Sequence, residues 1–524
     1  MGGFKKIKSV AIAPRVPAIS MDVAWPNQHA LVLGLGESGL AACRWLLRKG
    51  AKVTVLDTRD NPPAADAARD LASDRFAVQT AVPAPVASSW LDGMTMVIPS
   101  PGLSPHAQHQ SPIADLLKAA SEREISILGE IDLFEWAIHH AAHASSTANS
   151  GLDLELPLEL PKVLAITGTN GKTTTTQMTV ALLRRAGFDA QEAGNISPSL
   201  LDAVMAREDE SSFPQVWVLE LSSFQLAIAK HFHPTAAALL NITEDHLDWH
   251  TDMSDYMQAK HRVFGIGIDP DASDVLCVVN RDDSMAMAGI TGQRSVITFG
   301  SGRPEQPGDF GLHEEGLTWM AMRDSADADR LHRLMPADAL RVRGRHNAAN
   351  ALAALALSRA VTPVLAPLLH GLREFRGGAH RMEWVAHVDG VDFVDDSKGT
   401  NVGATAAALK GLALPLVLIA GGVGKGQDFS PLAEPIRQHA KAVVTIGQDG
   451  PAIAEVARGV HVDAFAAASM EEAVLQAFAL AKPGGVVLMS PACSSFDMFA
   501  NYVARAKAFH NAVHALAQSQ GVAC

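Results

Sequence analysis

The sequence predicts an α/β protein of three domains in series, and three observations carry that expectation. Apolar runs of strand length alternate with stretches of helical period along most of the chain. Glycine-rich turns follow several of those runs, at Gly34, Gly168 and Gly421, as they do where a parallel strand hands over to a helix. A chain of 524 residues, at roughly 150 residues per domain, exceeds what one core serves.

Residues 1–27 have no clear period and are expected to form a disordered extension. From Ala30, HALVLGLGESGLAACRWLLRKGAKVTVLDT reads strand, glycine turn, helix, strand, and opens a Rossmann-like N-terminal domain over residues 28–129. MVIPSPGLSP adds a strand and a Pro-rich turn, and ISILGEIDLFEW leads through Gly129 into a helix. Residues 139–161, HHAAHASSTANSGLDLELPLELP, are small and polar and then LP-rich, which predicts an inserted loop. The central domain, residues 130–377, alternates VLAIT, QVWVLEL, AAALLNI, VLCVVN and SVITFG with helices, a mostly parallel sheet of the P-loop type. A second Rossmann-like α/β domain, residues 378–524, restarts the alternation with VDFVDD, LPLVLIAGGVG, AVVTIG, VHVDAF and GGVVLMSPA.

Composition narrows the function. At 48% apolar and 19% charged the chain is an ordinary globular one, and a net charge of −13 argues against affinity for nucleic acid polymers. Cys43, Cys277, Cys493 and Cys524 lack CxxC spacing, so neither zinc ribbon nor disulfide framework is indicated. No run approaches the ~20 apolar residues of a membrane span, and Arg15 interrupts the short apolar run behind Lys5, Lys6 and Lys8. A cytoplasmic monomer is the expectation.

GTNGKTT is the sharpest motif. The common phosphate loop would need glycine at 166, where Ile166 stands, so the loop is shortened. Even so, strand, glycine loop and helix N-terminus come in the order that cradles phosphate, with Lys172 for the β and γ phosphates and Thr173 for Mg²⁺. The bland alternative is a plain β-α turn. LNITEDHLDWH carries Glu244, Asp245, His246, Asp248 and His250 after a strand, and Glu220 ends the neighbouring run. Glu220 and His246 could hold one or two divalent cations there, against the bland reading of a solvated acidic turn.

GLGESG fits G-x-G-x-x-G with Asp57 about 20 residues on, but Glu37 inside the loop would repel a pyrophosphate. A dinucleotide site, a mononucleotide site and a tight turn all remain open on the residues alone. Two later strand ends carry anion-binding candidates, Lys398 in VDDSKGTN and Lys425 in GGVGKGQDF, and a third carries Ser494 and Ser495 in SPACSSFDMF, which lacks G-x-S-x-G and so offers hydrogen-bond donors instead of a nucleophile.

Taken together and in order, TGTNGKT, TEDHLD, GRHN, DSKGTN and SPACSSFD resemble the ATP-dependent Mur ligases of bacterial peptidoglycan synthesis over about residues 28–515. The resemblance is to the branch that adds D-glutamate to UDP-N-acetylmuramoyl-L-alanine. It implies ATP held by Gly168, Thr169, Asn170, Gly171, Lys172, Thr173 and Thr174, with Asn347, His380, Arg381 and Asp396 at the adenine and ribose. It implies that Gly36, Glu37, Ser38, Asp57 and Thr58 meet the UDP end, and that Asn195 and Ser222 contact the substrate near the metal. Lys398, Thr400, Lys425, Ser495 and Tyr502 would surround D-glutamate, Tyr502 standing where phenylalanine is expected.

Catalysis would rest on Lys172, Glu220, His246 and Lys260, and the metal on Thr173, Glu220, His246 and Lys260, the last as N6-carboxylysine. A carbamate on Lys260 turns a repelling ammonium into an oxygen acceptor. Determinants on both sides of Gly377 and Gly378 imply a third domain that closes over ATP. The rivals are an oxidoreductase with NAD at GLGESG, which predicts nicotinamide turnover, and a non-catalytic ATP switch, which predicts affinity without a ligation product.

Overall fold

The computed structural model describes residues 19–148, 160–271, 274–327, 329–342, 344–378, 380–412, 415–424, 426–481 and 483–521. The described residues form two compact units, one within Met1–Lys172, Thr179–Phe299 and Ala353–Leu368, the other within Thr173–Met178, Gly300–Leu352 and Leu369–Cys524.

The first unit holds two parallel sheets. Five strands lie in the order Phe76–Gln79, Lys52–Leu56, His29–Leu33, Met96–Pro99, Ser126–Ile127. Six more run Ser295–Phe299, Leu276–Asn280, Ala236–Leu239, Lys162–Thr167, Val216–Glu220, Ala190–Gly194. In each sheet the chain order reverses beside the first strand, between His29–Leu33 and Met96–Pro99 and between Lys162–Thr167 and Ala236–Leu239. Crevices at the carboxyl ends of such reversal points are where open α/β sheets take ligands.

Two predicted domains share this unit because one apolar core runs through both sheets and includes Val32, Trp45, Trp136, Leu201 and Trp217. Ion pairs reinforce the seam: Lys49 meets Glu208 at 2.8 Å and Arg48 meets Asp209 at 2.5 Å. The tryptophans Trp25, Trp45 and Trp136 pack edge to face at 5.1–5.6 Å, a geometry that aromatic quadrupoles favour.

That cluster corrects the expected extension. Ile19 and Trp25 are buried, and Ser20 accepts a bond from the Trp136 indole at 3.1 Å, so residues 19–27 are part of the folded unit. Residues 1–18 lie outside the described ones. The expected loop at 139–161 is corrected likewise, since the helix Glu130–Ala148 runs ten residues into it, with His139 buried. Alanine, the residue of highest helix propensity, recurs there, where small-residue composition suggested a loop. Residues 149–159 lie outside the described ones.

The second unit holds an antiparallel meander, Phe310–Glu315, Leu317–Arg323 and Leu331–Pro336, which the sequence reading missed. It also holds a six-stranded sheet in the order Glu383–Val388, Val391–Asp395, Val486–Met489, Leu416–Gly421, Ala440–Ile446, Asp463–Ala466. Only its first strand, also unforeseen, is antiparallel. Inserting Val486–Met489 between two earlier strands brings the ends of Val391–Asp395, Val486–Met489 and Leu416–Gly421 side by side.

Candidate active site

Three strand-end sites are built by these sheets. In the first, the turn after His29–Leu33 leads into the helix Glu37–Arg48. Gly39 must be glycine, because a Cβ there would lie 2.1 Å from the Gly34 carbonyl oxygen. The crevice beside it is a cavity of about 390 Å³ lined by Gly36, Glu37, Ser38, Asp57 and Thr58, all five residues expected to meet the UDP end. Ser100 and Leu103 close its other wall.

Asp57 accepts the Leu35 N–H at 2.7 Å and a bidentate Arg59 guanidinium at 2.7 and 2.9 Å. Burial opposes its ionisation, yet these donors hold its carboxyl below the ordinary range. A carboxylate so committed organises the turn instead of reaching for a ribose hydroxyl, which weakens the dinucleotide reading. Arg59 lines the same cavity and was missed by the sequence reading; its signal was an arginine two residues past the strand-end acid.

The second site follows Lys162–Thr167. Gly171 caps the helix Lys172–Arg185 at φ +84°, a left-handed conformation glycine adopts without cost. Asn241, at the end of the adjoining strand, pins the loop: its Oδ1 accepts the Asn170 N–H at 2.8 Å and its backbone oxygen accepts that of Thr169 at 2.9 Å. The Thr169 hydroxyl bonds Tyr256 at 2.9 Å and the Thr243 carbonyl at 3.1 Å. Neither Asn241 nor Tyr256 was foreseen. Thr173 and Thr174 are buried at the start of the helix.

Two lysines converge here. Lys172 Nζ donates to the Gly168 and Thr169 carbonyls at 2.9 Å, and Lys260 Nζ donates to the same Gly168 oxygen at 2.9 Å. Lys260 is 2% exposed and lies over the Tyr256 ring. Desolvation first, and the Lys172 charge second, drive its pKa well below the ordinary lysine value, against the pull of Asp245 and Glu220.

Glu220 is buried at its strand end and accepts from Asn195 Nδ2 at 3.0 Å, so those two expected residues meet. His246 sits at φ +56°, its ring against Phe224, and desolvation together with the charges of Lys172 and Lys260 lowers its pKa. His250 is a buried clamp: its two nitrogens bond Asp255 at 2.8 Å and Ser223 at 2.9 Å. Ser222 forms a capping box with Gln225. Glu220 offers the hard oxygen that Mg²⁺ prefers, and the lowered pKa of Lys260 weakens the electrostatic objection to a cation beside it.

In the second unit, Arg381 donates to the Thr173 hydroxyl at 2.7 Å, joining two residues expected at the nucleotide. Asp396 is buried and accepts from Ser490 at 2.8 Å; burial raises its pKa to about 7, with Ser490 and Arg381 opposing. Asn347 is buried and accepts from Asn350 at 3.2 Å. Lys398 lies over the Tyr502 ring at 5.5 Å, so the ring face, not the hydroxyl, meets the cation. The Thr400 N–H bonds the Lys398 carbonyl at 2.9 Å, and Ser495 is buried in the neighbouring strand-end loop.

Arg505, fully buried and unforeseen, ties the two loops by donating to Ser397 O at 2.9 Å and Cys493 O at 3.0 Å. Its signal was an arginine on the inward face of an otherwise apolar helical turn. Lys425 lies outside the described residues.

Comparisons with known proteins bear on the whole chain. Residues 28–129 match a family model described as Mur ligase MurD-like, N-terminal domain; 166–358 match Mur ligase middle domain; 380–493 match Mur ligase, glutamate ligase domain. A protein of Cupriavidus pinatubonensis named UDP-N-acetylmuramoylalanine--D-glutamate ligase is 49% identical over 94% of this chain and 98% of its own. One of the same name from Ralstonia nicotianae is 47% identical over 96% and 99%. Among solved structures, Acinetobacter baumannii MurF superposes with a TM-score of 0.54 at 17% identity, covering 92% of this chain and 90% of that one. Thermotoga maritima UDP-N-acetylmuramate-alanine ligase MurC gives 0.52 at 18%, covering 93% and 99%; at such identities the likeness speaks for the fold.

Proposed function

The chain belongs to the Mur ligase family, and from that premise we propose how its own residues carry the reaction. It is an ATP-dependent ligase that adds D-glutamate to UDP-N-acetylmuramoyl-L-alanine in peptidoglycan synthesis. The oxidoreductase and switch readings fall with that membership.

Labour divides by domain. Residues 28–129 hold the UDP end in the cavity beside Glu37 and Thr58, residues 130–377 handle phosphoryl transfer, and residues 378–524 hold D-glutamate and part of the nucleotide. Forming an amide from a carboxylate requires a better leaving group than oxide. Transfer of the γ-phosphoryl to the L-alanine carboxylate makes an acyl phosphate and releases ADP. Lys172 leaves its own loop carbonyls to follow the charge that spreads over the phosphoryl oxygens.

Thr173, Glu220 and His246 would hold Mg²⁺, which supplies charge neutralisation at the phosphates. Lys260 completes that set as a carbamate: its neutral Nζ bonds the carbon of CO₂ and one proton leaves. The D-glutamate amine, positioned by Lys398, Thr400 and Ser495 against the Tyr502 ring, attacks the acyl carbon as a free base and phosphate departs. Lys425 is assigned to a substrate carboxylate from the sequence.

The observation that carries this reading is the pairing of Lys172 and buried Lys260 on one loop carbonyl, with Glu220 and Asp245 acting on Lys260. Incubation of the purified protein with ATP, Mg²⁺, UDP-N-acetylmuramoyl-L-alanine and single amino acids tests it. A product heavier by one glutamate residue, formed with the D enantiomer and lost in Lys172→Ala, is expected; an unchanged acceptor sinks the reading.

A further inference from the structure

Two imidazoles and two carboxylates converge in the second unit, and of the four only His380 is a residue expected at the nucleotide. They come from three places: His380 and Glu383 at the start of Glu383–Val388, Asp395 at the end of Val391–Asp395, and His510 on the helix Tyr502–Ser519. One potential ligand atom of each lies within 4.8 Å of all the others, the one such group among the described residues. We propose that His380, Glu383, Asp395 and His510 form a binding site for one first-row divalent transition metal, of which zinc is the natural probe.

The distances suit such an ion. Asp395 Oδ2 lies 2.8 Å from His380 Nδ1 and 2.9 Å from His510 Nε2, and His380 Nδ1 lies 3.6 Å from Glu383 Oε2. Four ligands at roughly 2.0–2.2 Å in a tetrahedron stand about 3.4 Å from one another, so side-chain shifts of about half an ångström open the trio around a cation. Two imidazoles with two carboxylates are a donor set for zinc or its neighbours, whereas magnesium prefers an all-oxygen shell.

The supporting shell is already built. Asp395 is fully buried, and its other oxygen, Oδ1, is taken by the Ser397 N–H at 2.9 Å and the Ser397 hydroxyl at 2.5 Å, which aims Oδ2 at the imidazoles. His380 sits at φ +64°, where the Glu383 carboxylate accepts its backbone N–H at 2.7 Å and so fixes both residues in one turn. An entry path exists, because the side chains of His510 and Glu383 are 23% and 36% exposed. Glu383 sets the cluster apart from a plain His-Asp-His trio, because the oxygen that accepts the His380 N–H also lies within reach of the point the other three ligand atoms share.

The test is calorimetric titration of the nucleotide-free full chain, stripped with chelator, using zinc alone. One tight equivalent is expected, weakened more than about 100-fold in the double variant Glu383→Ala/His510→Ala and retained in Glu220→Gln, which separates it from the magnesium residues. Circular dichroism of the double variant checks that it is folded. Cobalt(II) gives a second readout in the same proteins: the intense visible bands of a four-coordinate site should appear in the parent chain and vanish in the double variant. Absence of a tight equivalent in the parent chain, or its persistence in the double variant, overturns the proposal.

Discussion

At the scale of single residues, burial decides which ionisable groups act and which only hold. Lys260 has almost no solvent to stabilise an ammonium and shares a loop carbonyl with a second lysine, and both hold its pKa well below the ordinary lysine value, the condition the proposed carbamate needs. Lys260→Ala should lower turnover about 100-fold, the size of losing one preorganised charge contact in a transition state. A carbamate resonance should appear when the parent chain takes up carbon-13 bicarbonate; its absence, with normal rates in CO₂-free buffer, would remove the modification from the account.

Glu130 is a second case. It is buried, accepts the Leu201 N–H at 3.2 Å, and has its pKa raised by desolvation to about 7. The unfolded chain ionises this group from about 4.5, the folded chain only from about 7. Its contribution is therefore fully present below pH 4.5 and is lost as pH rises to 7, by about 3 kcal/mol in all. Glu130→Gln should unfold at a higher temperature than the parent above pH 7 and show a flatter profile between those limits; identical melting curves at pH 8 would refute the assignment.

At the scale of elements, strand-end loops are held by side chains buried behind them. Arg505 joins the loops after Val391–Asp395 and Val486–Met489 through two backbone carbonyls. Arg505→Met leaves both oxygens buried without that donor and should cost about 3 kcal/mol in denaturant unfolding. The KM for D-glutamate should rise while affinity for the UDP substrate stays the same.

Such residues mark the limit of what the sequence made legible. Glycine turns after apolar runs marked the three strand ends, because a turn into a helix needs glycine where backbones approach closely, as at Gly39, or where φ is left-handed, as at Gly171. Asn241, Tyr256 and Arg505 act through partners 71, 87 and 108 positions away, and local period carries no trace of such pairings. The same blindness hid Trp25, whose partners Trp45 and Trp136 lie in two later helices. The meander over residues 310–336 was missed because its strands mix polar with apolar residues and lack the continuous apolar run of the buried parallel strands.

At the scale of the whole molecule, no helix among the described residues is long and apolar enough to cross a membrane, and a net charge of −13 leaves the proposed binding of anionic substrates to local sites. Separate sites should give separable kinetics. Arg59→Ala frees Asp57 and loosens the first cavity, so the KM for the UDP substrate should rise about 10-fold, worth ~1.4 kcal/mol, with KM for ATP and kcat unchanged. A matching loss in kcat would mean that this cavity acts on chemistry and not on binding alone.

The central claim is phosphorylation of the acceptor's carboxylate ahead of amide formation. It is tested most directly with UDP-N-acetylmuramoyl-L-alanine labelled with oxygen-18 in the alanine carboxylate, turned over with ATP, magnesium and D-glutamate. The account predicts that each phosphate released carries one oxygen-18 atom, since that oxygen leaves with the phosphoryl group. Unlabelled phosphate from a reaction that still yields the amide would contradict it.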